Sequence, residues 1–98
     1  MDVRFSRDDL ERLEVEPGFD GGHSPGVVKA YRKRLQFIRS ASDERAFYQL
    51  KSLHFEKLKG RRAGDHAMKL NDQWRLILRF EEGDSGKTVL VFGIEDYH

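Results

Sequence analysis

With 98 residues and no cysteine, the chain has the length of one domain (residues 1–98). Its single core can bury roughly two thirds of the unfolded surface, and it can form no disulfide, zinc–cysteine site or thiol nucleophile. Charged residues make up 36% and hydrophobic ones 38%, and a net charge of +1 does not by itself announce a nucleic-acid partner. No apolar run approaches the roughly 18 residues of a membrane span and no signal-peptide pattern opens the chain, so a cytoplasmic protein without a membrane partner is expected.

From the N-terminus, Asp2–Phe5 reads as a short strand with Val3 and Phe5 on one side. Ser6 and Asp9 have capping-box spacing ahead of Leu10 and Leu13, which predicts a short helix. The segment Pro17–Gly26 holds four glycines and both prolines, and is a loop that carries a solvent-facing His23. Ser24 followed by Pro25 starts the next helix, which runs to about Ala41 with Val27, Tyr31, Leu35 and Ile38 on one stripe. Ser42 is expected to cap a shorter helix over Asp43–Leu50, with Ala46, Phe47 and Leu50 turned inward. These helices contain nothing catalytic in type or spacing and are expected to cover one face of a sheet.

The second half carries the sheet. Gly60 and Gly64 bracket Arg61 and Arg62 in a loop that lacks the length and lysine–serine ending of a phosphate-binding GxxxxGK[ST]. A strand over His66–Leu70, a tight turn at Asn71-Asp72 and a strand over Trp74–Phe80 follow. Alternation turns Trp74, Leu76, Leu78 and Phe80 one way and Arg75, Ile77 and Arg79 the other. Trp74, sharing parity with leucines, reads as core rather than as a platform for bases. Glu81–Lys87 is expected to connect to a last, nearly apolar strand over Thr88–Ile94, central in the sheet.

Charge is distributed in blocks. Residues 1–20 are mainly acidic, and Lys29, Arg32, Lys33, Arg34 and Arg39 form an all-positive run that an ordinary solvated face also explains. Lys57, Lys59, Arg61, Arg62, Lys69, Arg75 and Arg79 face only Asp65 and Asp72 in the next block. Such a local field suits a phosphate backbone, gripped without reading bases. Beyond Ile94 the sequence reads Glu95-Asp96-Tyr97-His98. A frayed polar tail is one reading of it. The other is a set of proton-transfer groups held at the end of a core strand, with Arg75 nearby in the same sheet. His54 and His66 flank the basic segment and could lie near a site, but no histidine has metal-ligand spacing with another ligand.

The segments LKG at Leu58–Gly60, NDQWR at Asn71–Arg75 and DYH at Asp96–His98 occur in order and at the right separations. From Val27 to the end the chain resembles the RelE/ParE superfamily of toxins from bacterial toxin–antitoxin pairs, and within it the HigB type. The resemblance implies an α+β fold, a small, antiparallel-rich twisted sheet like that of microbial ribonucleases with the N-terminal helices on one face. It also implies a metal-independent, cofactor-free endonuclease of ribosome-bound messenger RNA, inhibited by a cognate antitoxin, here expected to be a helix-turn-helix protein. Position by position, Arg75, Asp96, Tyr97 and His98 match the catalytic set. Lys57, Lys59, Arg61 and Arg62 fall in the RNA-facing segment, with Lys69 and Arg79 on the same basic hairpin. Many HigB-type sequences have a histidine two residues before the leucine of LKG. Glu56 stands there in this chain, and His54 lies two residues earlier. A gyrase poison of the ParE type and an inactive binding module are the alternatives.

Overall fold

The computed structural model describes residues 1–83 and 86–96. Strand β1 (Asp2–Phe5) leads into helices α1 (Asp8–Val15), α2 (Pro25–Ser40) and α3 (Arg45–Gln49). Four further strands follow: β2 (Glu56–Lys57), β3 (Asp65–Lys69), β4 (Trp74–Gly83) and β5 (Gly86–Asp96). They form one sheet in the order β1-β5-β4-β3-β2, antiparallel except for the parallel pairing of β1 with β5. No helix among the described residues is long and apolar enough to cross a membrane.

Helix α2 forms as its sequence dictates. The Ser24 hydroxyl accepts from the Val27 amide at 3.3 Å, and Pro25 occupies a position whose amide would have no helical partner. Its stripe of Val27, Tyr31, Leu35 and Ile38 is buried, together with Val28. The stripe meets Leu76 and Leu78 of β4 and Val89 and Val91 of β5 in one apolar cluster. Tyr31 spends its hydroxyl inside that cluster by donating to the Leu10 carbonyl at 2.8 Å, and burial pushes the phenol well above its ordinary pKa.

The cationic run of α2 is largely structural. Arg32 donates to the carbonyls of Leu13 (2.9 Å) and Glu16 (2.8 Å), satisfying the exposed end of α1. Arg34 donates to the Lys69 carbonyl at 3.0 Å, and Arg39 binds both oxygens of Glu14 at 2.7 and 2.8 Å. Lys29 and Lys33 remain exposed.

Two expected caps are not formed. Ser6 sits one residue too early: its hydroxyl donates to the Phe92 carbonyl at 2.8 Å and ties the end of β1 to β5, while Arg7 precedes α1 without a side-chain cap. The acidic first turn, Asp8, Asp9 and Glu11, suits the positive end of the helix dipole instead. Ser42 does not cap α3, which begins at Arg45; the Asp43 carboxylate accepts from the Arg45 amide at 2.9 Å. Leu50, expected inside, is exposed, because the chain leaves α3 at that residue for a 3₁₀ turn over Lys51–Leu53 that buries Leu53.

Strands β4 and β5 both run beyond the expected ends. Glu81, Glu82 and Gly83 pair with Thr88, Lys87 and Gly86, so much of the expected connection is ladder. At the other end Glu95 and Asp96 pair with Arg75 and Trp74, so this part of the polar ending is strand rather than tail. The ladder slips once: Ile77 faces Gly93 and Leu78 faces Val91, leaving Phe92 as the extra residue of a β-bulge.

Candidate active site

Cross-strand partners share a face, so the register assigns the two sides of the sheet. Met68, Leu76, Leu78, Val89 and Val91 turn to the helices. Arg75 and Arg79 turn away, with Asp65, Ala67 and Lys69 of β3 and Glu95 of β5, onto the opposite face. Trp74 lies on the helix side, half-buried against the core. His23 is not the solvent-facing loop residue expected: its ring meets Trp74 edge-on at 5.5 Å.

On that opposite face a cleft of about 240 Å³ has Ala67 and Ile77 at mid-sheet. Leu58, Lys59 and Arg62 line it on the side of the Gly60–Arg62 3₁₀ turn, and Arg75, Glu95 and Asp96 on the side of the strand ends. The turn is enclosed by Gly60 and Gly64, whose positive φ values of 68° and 98° are those that glycine tolerates best.

The cleft is built around an alternating charge chain. Arg62 grips Glu95 with both terminal nitrogens, at 2.8 and 2.9 Å, and its Nε donates to Asp65 at 3.1 Å. The second oxygen of Asp65 accepts from Arg79, whose guanidinium lies 4.0 Å from the centre of the Phe92 ring. The bulge explains that contact: without the extra residue, Phe92 would stand opposite Leu78 and point into the core. Asp65 is only 3% exposed. Burial alone would raise its pKa, but the hydrogen bonds from Arg79 and Arg62 prevail and hold it below the ordinary carboxylate value. The bonds that Arg62 donates, to Glu95 first and then to Asp65, raise its guanidinium further above its already high value.

Of the residues singled out in the sequence, Arg75, Arg62, Lys59 and Asp96 come together at the cleft. Arg75 is directed partly to the turn, donating to the Asn71 carbonyl at 2.8 Å. Asp96 pairs with Trp74 at the end of β5 and stands at the rim of the cleft, where it accepts from Gln73 at 2.9 Å. Arg61 is exposed on the 3₁₀ turn. Lys69 reaches Asp72 at 3.1 Å. Lys57 pairs with His66 and belongs to the helix side at the sheet's edge. Tyr97 and His98 lie outside the described residues.

The two flanking histidines part company. His54 is exposed in a left-handed backbone conformation (φ 47°) at the end of the 3₁₀ turn over Lys51–Leu53. His66 faces the core, stacked on Phe55, so it stands on the far side of the sheet from the cleft. Sequence reasoning named Glu95 within the polar ending but gave it no role of its own, and it passed over Phe92. Glu95 carried a signal: it is one residue beyond Ile94, and strand alternation turns it away from the core.

A larger groove of about 510 Å³ lies between the Pro17–Pro25 loop and α2. Asp20 is its acidic group, set among Lys29, Arg32 and Lys33, and it gathers no set of groups suited to proton transfer.

A five-stranded α+β sheet with helices on one face matches the fold of RelE- and YoeB-type toxins. A toxin from Agrobacterium tumefaciens described as YoeB/ParE superposes with a TM-score of 0.61 over 100% of both chains, at 14% identity. The RelBE2 toxin–antitoxin complex of Mycobacterium tuberculosis contains a chain matching at a TM-score of 0.52 and 18% identity, over 98% of this chain and 96% of that one. No curated protein sequence matches significantly. The family model for the RelE-like toxin of the type II toxin–antitoxin system HigB matches residues 4–97. The chain belongs to this family of HigB-like toxins.

Proposed function

We propose that this toxin is an endoribonuclease that cleaves messenger RNA on the ribosome, in the cytoplasm, and is held inactive by a cognate helix-turn-helix antitoxin. The observation that carries the reading is the cleft itself. It lies on the face of the sheet opposite α2, and it gathers Arg62, Arg75, Lys59, Glu95 and Asp96 near the end of β5.

Cleavage of RNA without a metal uses the 2′-hydroxyl as nucleophile on the adjacent phosphorus. It needs a proton acceptor, a donor for the leaving 5′-oxygen and positive charge for the phosphorane. Arg75 supplies the charge, in a fork that matches two phosphoryl oxygens. Tyr97 and His98 supply proton transfer from the residues that follow Asp96. Lys59, Arg61 and Arg62, with Lys69 and Arg79, hold the backbone without reading bases, and Lys57 meets it only around the sheet's edge. Asp65 already engages Arg62 and Arg79, so those two guanidiniums are positioned before RNA arrives, and Lys59 and Arg61 carry more of the encounter.

Single-turnover cleavage of message on purified ribosomes tests this. Arg75→Ala is expected to lose roughly 10²–10³ in rate, and Tyr97→Phe and His98→Ala about 10² each, with ribosome binding retained. Full cleavage by a protein ending at Asp96 would refute the proton-transfer role of the tail. Growth arrest with intact message and DNA-damage signalling would replace the nuclease reading with gyrase poisoning.

A further inference from the structure

The face of the sheet opposite α2 carries a second feature beside the cleft. The β-bulge turns Phe92 out of the core, and the ring lies half-buried under Arg79, its centre 4.0 Å from the guanidinium carbon. The plane of that guanidinium is also held at its edge. Its Nε donates to the buried Asp65, whose other oxygen accepts from Arg62 of the cleft. After both contacts the Arg79 side chain is still 45% exposed. Next to Phe92 stands Gly93, the cross-strand partner of Ile77. Its φ is not in the left-handed region, so the backbone does not demand glycine here. A methyl group at this position would meet no atom within 4 Å apart from its chain neighbours. Ile77 lines the cleft, so the gap over Gly93 leads from the cleft to Phe92 and Arg79.

We propose that Arg79, backed by Phe92, is a stacking platform for one unpaired base of the message, an inference that rests on the nuclease reading above. Single-stranded RNA stacks its bases on aromatic rings and on arginine planes. Here the two are already stacked on each other, and a base against the exposed side of the guanidinium completes a third layer. Asp65 and Phe92 fix the plane beforehand, so little side-chain freedom is lost on binding. The charge of Arg79 adds attraction for the π-face of the base. Asp65 ties the platform to the cleft, because one buried carboxylate orients both Arg62 and Arg79. Phosphates and flat rings alternate along a single strand, which matches a phosphate grip at Arg62 beside a planar surface at Arg79. Stacking engages the face of a base and not its edges, so the platform accepts any base and leaves codon preference to the ribosome.

The test uses the full chain on ribosomes programmed with messages whose decoded codon is 2′-deoxy, so that affinity is read without cleavage. In a series of these messages a single abasic residue occupies each position beside the cleavage point in turn. One abasic position should weaken binding of the parent by about tenfold. Arg79→Lys keeps the charge and the pairing with Asp65 but has no plane. It should weaken binding of the intact message by about the same factor, with the salt slope and the melting temperature of the parent. On that one abasic message it should lose nothing further. Gly93→Val fills the gap with a residue that strands favour, so affinity should fall while the melting temperature holds or rises. Equal weakening by Arg79→Lys on intact and abasic messages overturns the platform and leaves the nuclease reading standing. So does parental affinity in both variants, or a series in which no abasic position matters. A parent that neither binds the programmed ribosome nor cleaves an all-ribonucleotide message overturns both.

Discussion

Replacing His66 with leucine should make this protein more stable, and increasingly so in mild acid. His66 is 8% exposed, and among the described residues neither ring nitrogen has a hydrogen-bond partner. The ring lies flat on Phe55 (centroids 5.3 Å apart, planes at 6°) and edge-on to Phe80 at 4.8 Å. An unpaired buried polar group costs about 1–3 kcal/mol. Leucine removes that cost at similar volume but forfeits the ring stacking, about 0.5–1.5 kcal/mol. With each effect at the middle of its range, a net gain on the order of 1 kcal/mol follows at pH 8.

The pH dependence has a definite sign. Burial pushes the imidazole below its ordinary value of 6.5, with Glu44 opposing and Lys57 assisting. As pH falls below 6.5 the unfolded chain takes up a proton that the folded one still refuses, so the parent loses stability down to the depressed folded value. The leucine variant has no such loss, and its advantage widens in that window. Urea unfolding at pH 8 and at several values below 6.5 measures both effects. A variant less stable than the parent at every pH, or a constant gap across the window, would refute the reasoning.

Three further outcomes are expected. Leu35, fully buried on the α2 stripe, should cost about 2–5 kcal/mol on truncation to alanine, read from the denaturant midpoint; an unchanged midpoint would remove α2 from the core. Asp65→Asn should destabilise by about 1–3 kcal/mol, below the usual cost of breaking a buried pair because its arginine partners are 40% and 45% exposed. The contribution of the Asp65 charge is present above 3.8, the ordinary carboxylate value, and is lost as pH falls through the lower folded value, so the asparagine variant should converge on the parent in strong acid. Arg61→Ala with Arg62→Ala should weaken ribosome association and flatten its log–log salt dependence by about 0.7 for each phosphate no longer neutralised, and an unchanged slope would take the 3₁₀ turn out of the RNA interface.

Periodicity alone determined much of this protein. The 3.6-residue stripe of α2 and the two-residue alternation of β4 depend only on side chains near in sequence. That is enough to assign Leu35 to the core and Arg75 and Arg79 to the opposite face of the sheet. The three short segments carried the family for the same reason, since their order and spacing are visible in the linear chain. What depended on long-range pairing was not visible there. Ser6 and Ser42 had the composition of helix caps, but a cap needs its hydroxyl within reach of a free amide, and the parallel pairing of β1 with β5 drew Ser6 to Phe92 instead. The bulge that turns Phe92 under Arg79 is a property of two strands in register, not of either one. The charge chain from Glu95 through Arg62 and Asp65 to Arg79 joins four separate segments, so only the tertiary structure made neighbours of these four residues. His66 shows the same limit from the other side: a histidine beside a basic segment looks available for chemistry until the sheet turns it onto Phe55 and away from the cleft.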